Sequence, residues 1–205
     1  MKALSNNLPR PLKNRVQLMR HRWMDKFVFI HINKTGGTSV AKALNIPTIH
    51  RTALEKIEEI GREEWNRRFT FAVVRNPWDK VVSHYHYRVQ TDQTNLGEGK
   101  VDFKTWVTLS YGKKDPAYYN KPKMFMPQTK WVVDQTGEMI VDYICRFESL
   151  SSDFEQVCKR LNLDASLPHL KSSKRGSYQD YYDSATKAIV ADWFAEDVEQ
   201  FHYTF

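Results

Sequence analysis

The sequence predicts a three-layer α/β fold with a mainly parallel central sheet flanked by helices. Three observations carry this. First, apolar β-prone runs at residues 27–32 and 69–75 alternate with segments of helical periodicity. Second, each run ends in a polar turn with phosphate-type residues, and ligands of open α/β sheets sit beyond the strands' carboxyl ends. Third, 205 residues with 41% hydrophobic content suffice for one domain with one core. The expected organisation is a basic arm over residues 1–25 and a single domain over 26–205.

The arm carries Lys2, Arg10, Lys13, Arg15, Arg20 and Arg22, with Pro9 and Pro11, and reads as a surface segment ending in a short helix. After strand 27–32 comes a helix at 38–45. Thr52–Ile60 and Arg62–Arg67 read as helices punctuated by Gly61. Strand 69–75 leads to a helix at 77–90, with Pro77 in the first turn, where its missing N–H costs nothing. Thr91–Lys100 is polar and glycine-containing, a candidate mobile loop, and Phe103–Leu109 reads as helical. Residues 112–128 lack clean periodicity and suggest an ordered loop or lid. Lys130–Val133 and Met139–Ile144, joined through Gln135-Thr136-Gly137, read as a hairpin or two short strands. Leu150–Leu161 is expected to be a helix and Lys171–Ser177 a basic loop. Ser184–Phe201 is the final amphipathic helix, whose Ala188, Ile189, Trp193, Phe194, Val198 and Phe201 are assigned to the core.

The first turn, Asn33-Lys34-Thr35-Gly36-Gly37-Thr38-Ser39, lies between strand and helix. Glycines let backbone N–H groups approach an anion, and the helix dipole favours negative charge. Lys34 adds a point charge, and Thr38 and Ser39 add hydroxyl donors. It is not a Walker A loop, in which the lysine follows the last glycine. The second turn, Arg75-Asn76-Pro77-Trp78, is followed by Ser83 about two helical turns on. A guanidinium grips phosphate bidentately and a hydroxyl adds a hydrogen bond.

Together these turns resemble the two nucleotide sites of sulfotransferases that use 3′-phosphoadenosine-5′-phosphosulfate (PAPS). The first resembles the phosphosulfate loop P-K-T-G-G-T-S, with Asn33 in place of the proline. The second resembles the 3′-phosphate motif R-[ND]-P-[WYF]-x-x-x-x-S. Arg146-Phe147-Glu148-Ser149-Leu150 with Asp153-Phe154 resembles a further family stretch, R-F-E-x-L-x-x-D-[FW]. Pro168 to Tyr182 resembles the basic C-terminal loop, and the final helix also fits. The pattern is closest to bacterial and Golgi carbohydrate sulfotransferases. The resemblance implies a P-loop-like fold, PAPS as donor, PAP as product, and no metal. Lys34, Thr35, Gly36, Gly37, Thr38 and Ser39 would hold the phosphosulfate, Arg75 and Ser83 the 3′-phosphate, and Lys174, Arg175 and Gly176 would reach the same phosphate. It also implies a base after the phosphosulfate loop.

Sulfuryl transfer needs in-line attack and a cation at the leaving phosphate, a role for Lys34. A hydroxyl acceptor needs a general base, and a histidine can accept its proton near neutral pH. His50 is the first choice and His31, beside the loop, the rival. His84 and His86, two apart on one helix, face different ways and make no metal pair. Trp78 and Tyr85 are expected to be packing aromatics. The acceptor cleft is expected from residues 91–130 and the arm, with Tyr118, Tyr119 and Lys123 as candidate sugar contacts.

Net charge is +7, which favours an anionic partner. PAPS fits, as does a sulfated or uronic-acid glycan, and the acceptor is expected to be a glycan or other hydroxylated molecule. No nucleic-acid-binding signature accompanies the charge. Cys145 and Cys158 read as buried free thiols, not a disulfide framework. No apolar run is long enough for a membrane anchor. The expectation is a soluble cytoplasmic enzyme of bacterial type, or a Golgi-lumen enzyme if the sequence is a trimmed piece of one. Two other readings are a P-loop-like kinase of a small metabolite, for which no magnesium ligands can be assigned, and a non-catalytic polyanion binder.

Overall fold

In a computed structural model of the chain, the described residues are Leu12, Val16, Met19, Arg20, Arg22, 24–93, Leu96, 101–168 and 176–205. The elements in order are β1 (Phe27–Ile30), α1 (Gly37–Ala43), α2 (Ala53–Ile60), α3 (Arg62–Arg67), β2 (Phe69–Val74) and α4 (Pro77–Gln90). Then follow α5 (Phe103–Val107), a π-helical turn (Thr108–Gly112), α6 (Pro122–Phe125), α7 (Thr129–Val132), β3 (Tyr143–Arg146) and a 3₁₀ turn (Phe147–Ser149). The last are α8 (Leu150–Leu161), a second 3₁₀ turn (Tyr178–Tyr181), α9 (Ser184–Trp193) and α10 (Ala195–Phe201). The chain divides into two compact units, Met1–Val74 with Trp131–Lys171, and Arg75–Lys130 with Ser172–Phe205.

The first unit holds a three-stranded sheet of order β1-β2-β3, parallel throughout. Phe27 lies beside Phe69 and Ile30 beside Ala72, while Phe71 lies beside Tyr143. All of β1 and all of β2 except Phe69 are buried, as in a sheet covered on both faces. On one face Phe27, Phe29, Phe71, Val73 and Cys145 pack against Val40, Ala41 and Leu44 and against Leu150, Phe154 and Val157 of α8. The mixed α/β fold with a parallel, helix-flanked sheet is as expected.

The third strand departs from expectation. The proposed hairpin shrinks to one antiparallel bridge between Val133 and Met139, around a turn in which Asp134 accepts from the backbone of Thr136 and Glu138. The segment before it is helical, and the strand runs over 143–146. The reason is side-chain chemistry between β2 and its neighbour. Asp142 accepts from Thr70 N and Oγ1 at 2.7 and 2.8 Å, and Asp142 N donates to Thr70 Oγ1 at 2.9 Å. This lock sets the register of β3. The first strand ends at Ile30, two residues early, because Ile32 N turns back to the Ile30 carbonyl.

In the second unit, α4 packs Trp78, Val81 and Val82 against Phe103, Trp106, Tyr111, Phe125, Val190 and Phe194. Trp78 Nε1 donates to the Lys187 carbonyl and Tyr85 Oη to the Val101 carbonyl, so both are packing aromatics as expected. Helix α5 starts on an Asp102 cap and continues into the π-helical turn, where Ser110 Oγ bonds the Trp106 carbonyl and Tyr111 is buried. The expected single final helix is two helices. Phe194 leaves helical geometry at φ −106° and ψ 26°, burying its ring and turning Asp197 inward. Ala188 is exposed, since Thr186 and Val190 occupy the inward face.

Cys145 and Cys158 are free and buried, as expected, and burial pushes the Cys145 thiol up to about 12. Among the described residues no helix is long and apolar enough to cross a membrane. The candidate mobile loop lies largely outside the described residues, as does most of the basic arm. Of the arm, Arg20 donates to the carbonyls of Leu44 and Asn45, where α1 ends, and Arg22 to that of Glu59.

Candidate active site

The turn after β1 takes left-handed backbone at two positions. Lys34 has φ 65° and Gly36 has φ 82°, the left-handed region. Gly36 is the N-cap of α1, and Ser39 N returns to its carbonyl at 3.0 Å. Lys34 and Ser39 are half-buried and Thr38 is exposed. Thr35 is fully buried, and its hydroxyl donates inward to the Ile32 carbonyl at 3.0 Å. Its side chain therefore shapes the turn from within. Gly37 is required by close approach: a Cβ there would stand 2.2 Å from His31 Cδ2 and 2.5 Å from Nε2.

His31 and His50 lie together, ring centroids 4.4 Å apart. The His50 Nδ1 is 2.8 Å from the His31 carbonyl oxygen. A carbonyl only accepts, so Nδ1 carries the proton, and in the neutral ring the lone pair is on Nε2. Trp131, fully buried, presents a T-shaped contact to His50 at 6.2 Å. The capping box of α2, Thr52 with Glu55, fixes the chain two residues beyond His50. His31 is different. It is 4% exposed, stacked on Phe29 at 5.6 Å, and burial, with the neighbouring His50, lowers its pKa to about 3. Such an imidazole is a poor base at neutral pH.

The depressed His31 pKa has a consequence for stability. Between about 3 and 6.5 the unfolded chain binds a proton at His31 that the folded chain does not. Stability therefore rises with pH through that window and is lost as pH falls toward 3. The contribution should be on the order of 2–4 kcal/mol. Urea midpoints for wild type and His31→Gln at pH 4 and pH 7 check it, and an unchanged acid loss in the variant refutes it.

In the second unit, Arg75 follows directly on the last residue of β2. Its side chain is held by Asp79, with Nε 2.8 Å and an Nη 2.7 Å from Oδ2. Asn76 caps α4 through Trp78 N and donates to the Thr204 carbonyl. Ser83, half-buried, lies one turn beyond Asp79 on the same helix face. The Arg75–Asp79 pair has the i, i+4 spacing of a helical ion pair, a signal the sequence itself carries. Gln128, whose carboxamide pairs with the Arg75 backbone, carried no sequence signal.

Lys80 is fully buried, its Nζ 5.0 Å from the Phe194 ring centroid. Burial lowers its pKa to about 8 against the attraction of Asp197, with Arg75 adding to the lowering. Lys174 and Arg175 lie outside the described residues, and Gly176 is exposed. Tyr119 packs on Phe125 and Trp193, at 4.9 and 5.7 Å, while Tyr118 and Lys123 are half-buried.

The sequence is similar to an uncharacterized protein of Archaeoglobus fulgidus, 28% identical over 109 residues, which cover 53% of this chain and 79% of that one. The structure is similar to a sulfotransferase from Alicyclobacillus acidocaldarius, with TM-score 0.48, 14% identity, and coverage of 88% of this chain and 97% of that one. It is also similar to the mouse sulfotransferase SULT7A1 complexed with PAP, with TM-score 0.46, 16% identity and 89% coverage of both chains. Both TM-scores lie below 0.5. The family match is by sequence and spans residues 22–204, which include the glycine turn, His50, Arg75 and Ser83. The chain belongs to the sulfotransferase family.

Proposed function

We propose that this sulfotransferase takes its sulfuryl group from PAPS and passes it to a hydroxyl of a carbohydrate acceptor. The observation that carries this is the turn after β1, where Lys34 and Gly36 take left-handed backbone and which follows His31, whose carbonyl sets the tautomer of His50. In this reading Lys34, the backbone from Thr35 to Gly37, and the hydroxyls of Thr38 and Ser39 hold the phosphosulfate. Arg75 and Ser83 take the 3′-phosphate, with Lys174, Arg175 and Gly176 added from the family pattern. The acceptor oxygen forms a bond to sulfur as the bond from sulfur to the 5′-phosphate oxygen breaks. The acceptor proton passes to His50 Nε2, and PAP leaves with the bonding pair, its new charge offset by Lys34. Carbohydrate is chosen because the loop pattern resembles that branch of the family. The proposed setting is a soluble cytoplasmic enzyme.

The test is binding of PAP against ATP–Mg²⁺, followed by an acceptor screen with labelled PAPS. Metal-independent PAP binding is expected, and Arg75→Ala should weaken it by on the order of 2–4 kcal/mol, since a charge-assisted grip is lost. Ser83→Ala should cost less, near one neutral hydrogen bond. Calorimetric titration at a temperature where both variants remain folded reads the effect. Equal affinity in wild type and Arg75→Ala, or binding of ATP–Mg²⁺ alone, overturns the assignment.

A further inference from the structure

Where β2 ends, the backbone of Arg75 is paired by a side chain. Arg75 N donates to Gln128 Oε1 at 2.9 Å, and Gln128 Nε2 donates to the Arg75 carbonyl at 2.8 Å. A single buried carboxamide thus makes the two bonds that a neighbouring strand would make. The amide is itself fixed. Its Nε2 also donates to Asp197 Oδ2 at 3.1 Å, and the same oxygen accepts from Gln128 N at 2.8 Å. Asp197 Oδ1 accepts from Thr129 N at 2.8 Å. A carboxylate can only accept, so the Nε2 end of the amide must face Asp197, which leaves Oε1 for Arg75 N. Gln128 and Asp197 are both fully buried. Three donated bonds and the attraction of buried Lys80 support the Asp197 charge in the interior, while burial raises its pKa. At its other end the Arg75 guanidinium is gripped by Asp79.

We propose that Gln128 and Asp197 form a backbone clamp that positions Arg75 for phosphate, without either residue touching the nucleotide. This rests on the assignment of Arg75 to the 3′-phosphate of PAPS. Arg75 directly follows β2, whose register with β3 ends at Val74, and the Gln128 carboxamide holds its backbone N–H and carbonyl there, so losing the clamp widens the range of φ and ψ that Arg75 samples. A guanidinium grips phosphate bidentately only in one orientation, so a wandering backbone loses affinity. Gln128 and Asp197 are positioning residues in this arrangement.

The test combines two readouts on the full chain. Amide hydrogen exchange at Arg75 should accelerate by about 10²-fold in Gln128→Ala as its acceptor is lost. PAP affinity should fall by about 10-fold in Gln128→Ala, and adding that change to Arg75→Ala should cost nothing more. Gln128→Glu, of the same size, keeps the acceptor for Arg75 N but loses both donated bonds, and should also weaken PAP binding. A purely structural role would lower the melting temperature while leaving the affinity of the folded protein unchanged, and would add fully to Arg75→Ala. Wild-type PAP affinity in both Gln128 variants, with Arg75→Ala impaired, overturns the positioning role alone. Unchanged Arg75 exchange overturns the clamp. A wild-type chain without PAP affinity overturns the nucleotide assignment, and the phosphate role of the clamp with it.

Discussion

His50→Ala is expected to lower acceptor sulfation by about 10²–10⁴-fold while PAP still binds. The expectation follows from one contact. With Nδ1 donating to the His31 carbonyl at 2.8 Å, the neutral ring keeps its lone pair on Nε2, the atom that can take a hydroxyl proton. The ring is further braced by Trp131 and by His31. Removing it deletes the base but none of the loop that would hold phosphosulfate, so turnover and PAP affinity should separate. His50→Asn distinguishes proton transfer from anchoring. It keeps a side-chain N–H near the Nδ1 position but offers no base, so it should be as impaired as His50→Ala. Single-turnover rates with labelled PAPS measure both. Near-normal turnover in His50→Ala, with the loss appearing in His31→Gln instead, would move the base to His31.

Gly37→Ala should abolish most PAP binding, with a loss of at least about 10²-fold, and lower stability by about 1–3 kcal/mol through overpacking. The new Cβ would stand 2.2 Å from His31 Cδ2, which no pair of carbons tolerates. The ring has little room to retreat, being buried, stacked on Phe29, and beside His50. The backbone must move instead, and with it the N–H groups that in the proposed reading would hold the phosphosulfate. Gly112→Ala is the control, because a Cβ there meets Ile189 Cδ1 at an ordinary 3.5 Å, and it should leave PAP affinity unchanged. If the clash with the ring is the cause, adding His31→Ala to Gly37→Ala should restore part of the binding. Wild-type PAP affinity in Gly37→Ala would show that the loop does not need close approach at that position.

Local chemistry alone accounts for much of the fold. The α/β class, the strands near 27 and 69, and the helices at 53–60, 62–67, 77–90 and 150–161 follow from periodicity, capping residues and Pro77. The glycine turn follows too, because only a few residue types permit its backbone. The two thiols could be read as buried because one fell on a strand and the other on a helix. Features that depend on partners distant in sequence emerge only when the chain packs. The third strand takes its register from Asp142 meeting Thr70, 72 residues away in sequence, a bond no local pattern announces. The last helix breaks at Phe194 because the core accepts that ring, and the inward turn brings Asp197 to Gln128. His31 and His50 look equally basic as letters. Burial makes one a poor base, and a single carbonyl sets the tautomer of the other, because desolvation and hydrogen bonding are properties of the packed surroundings and not of the residue.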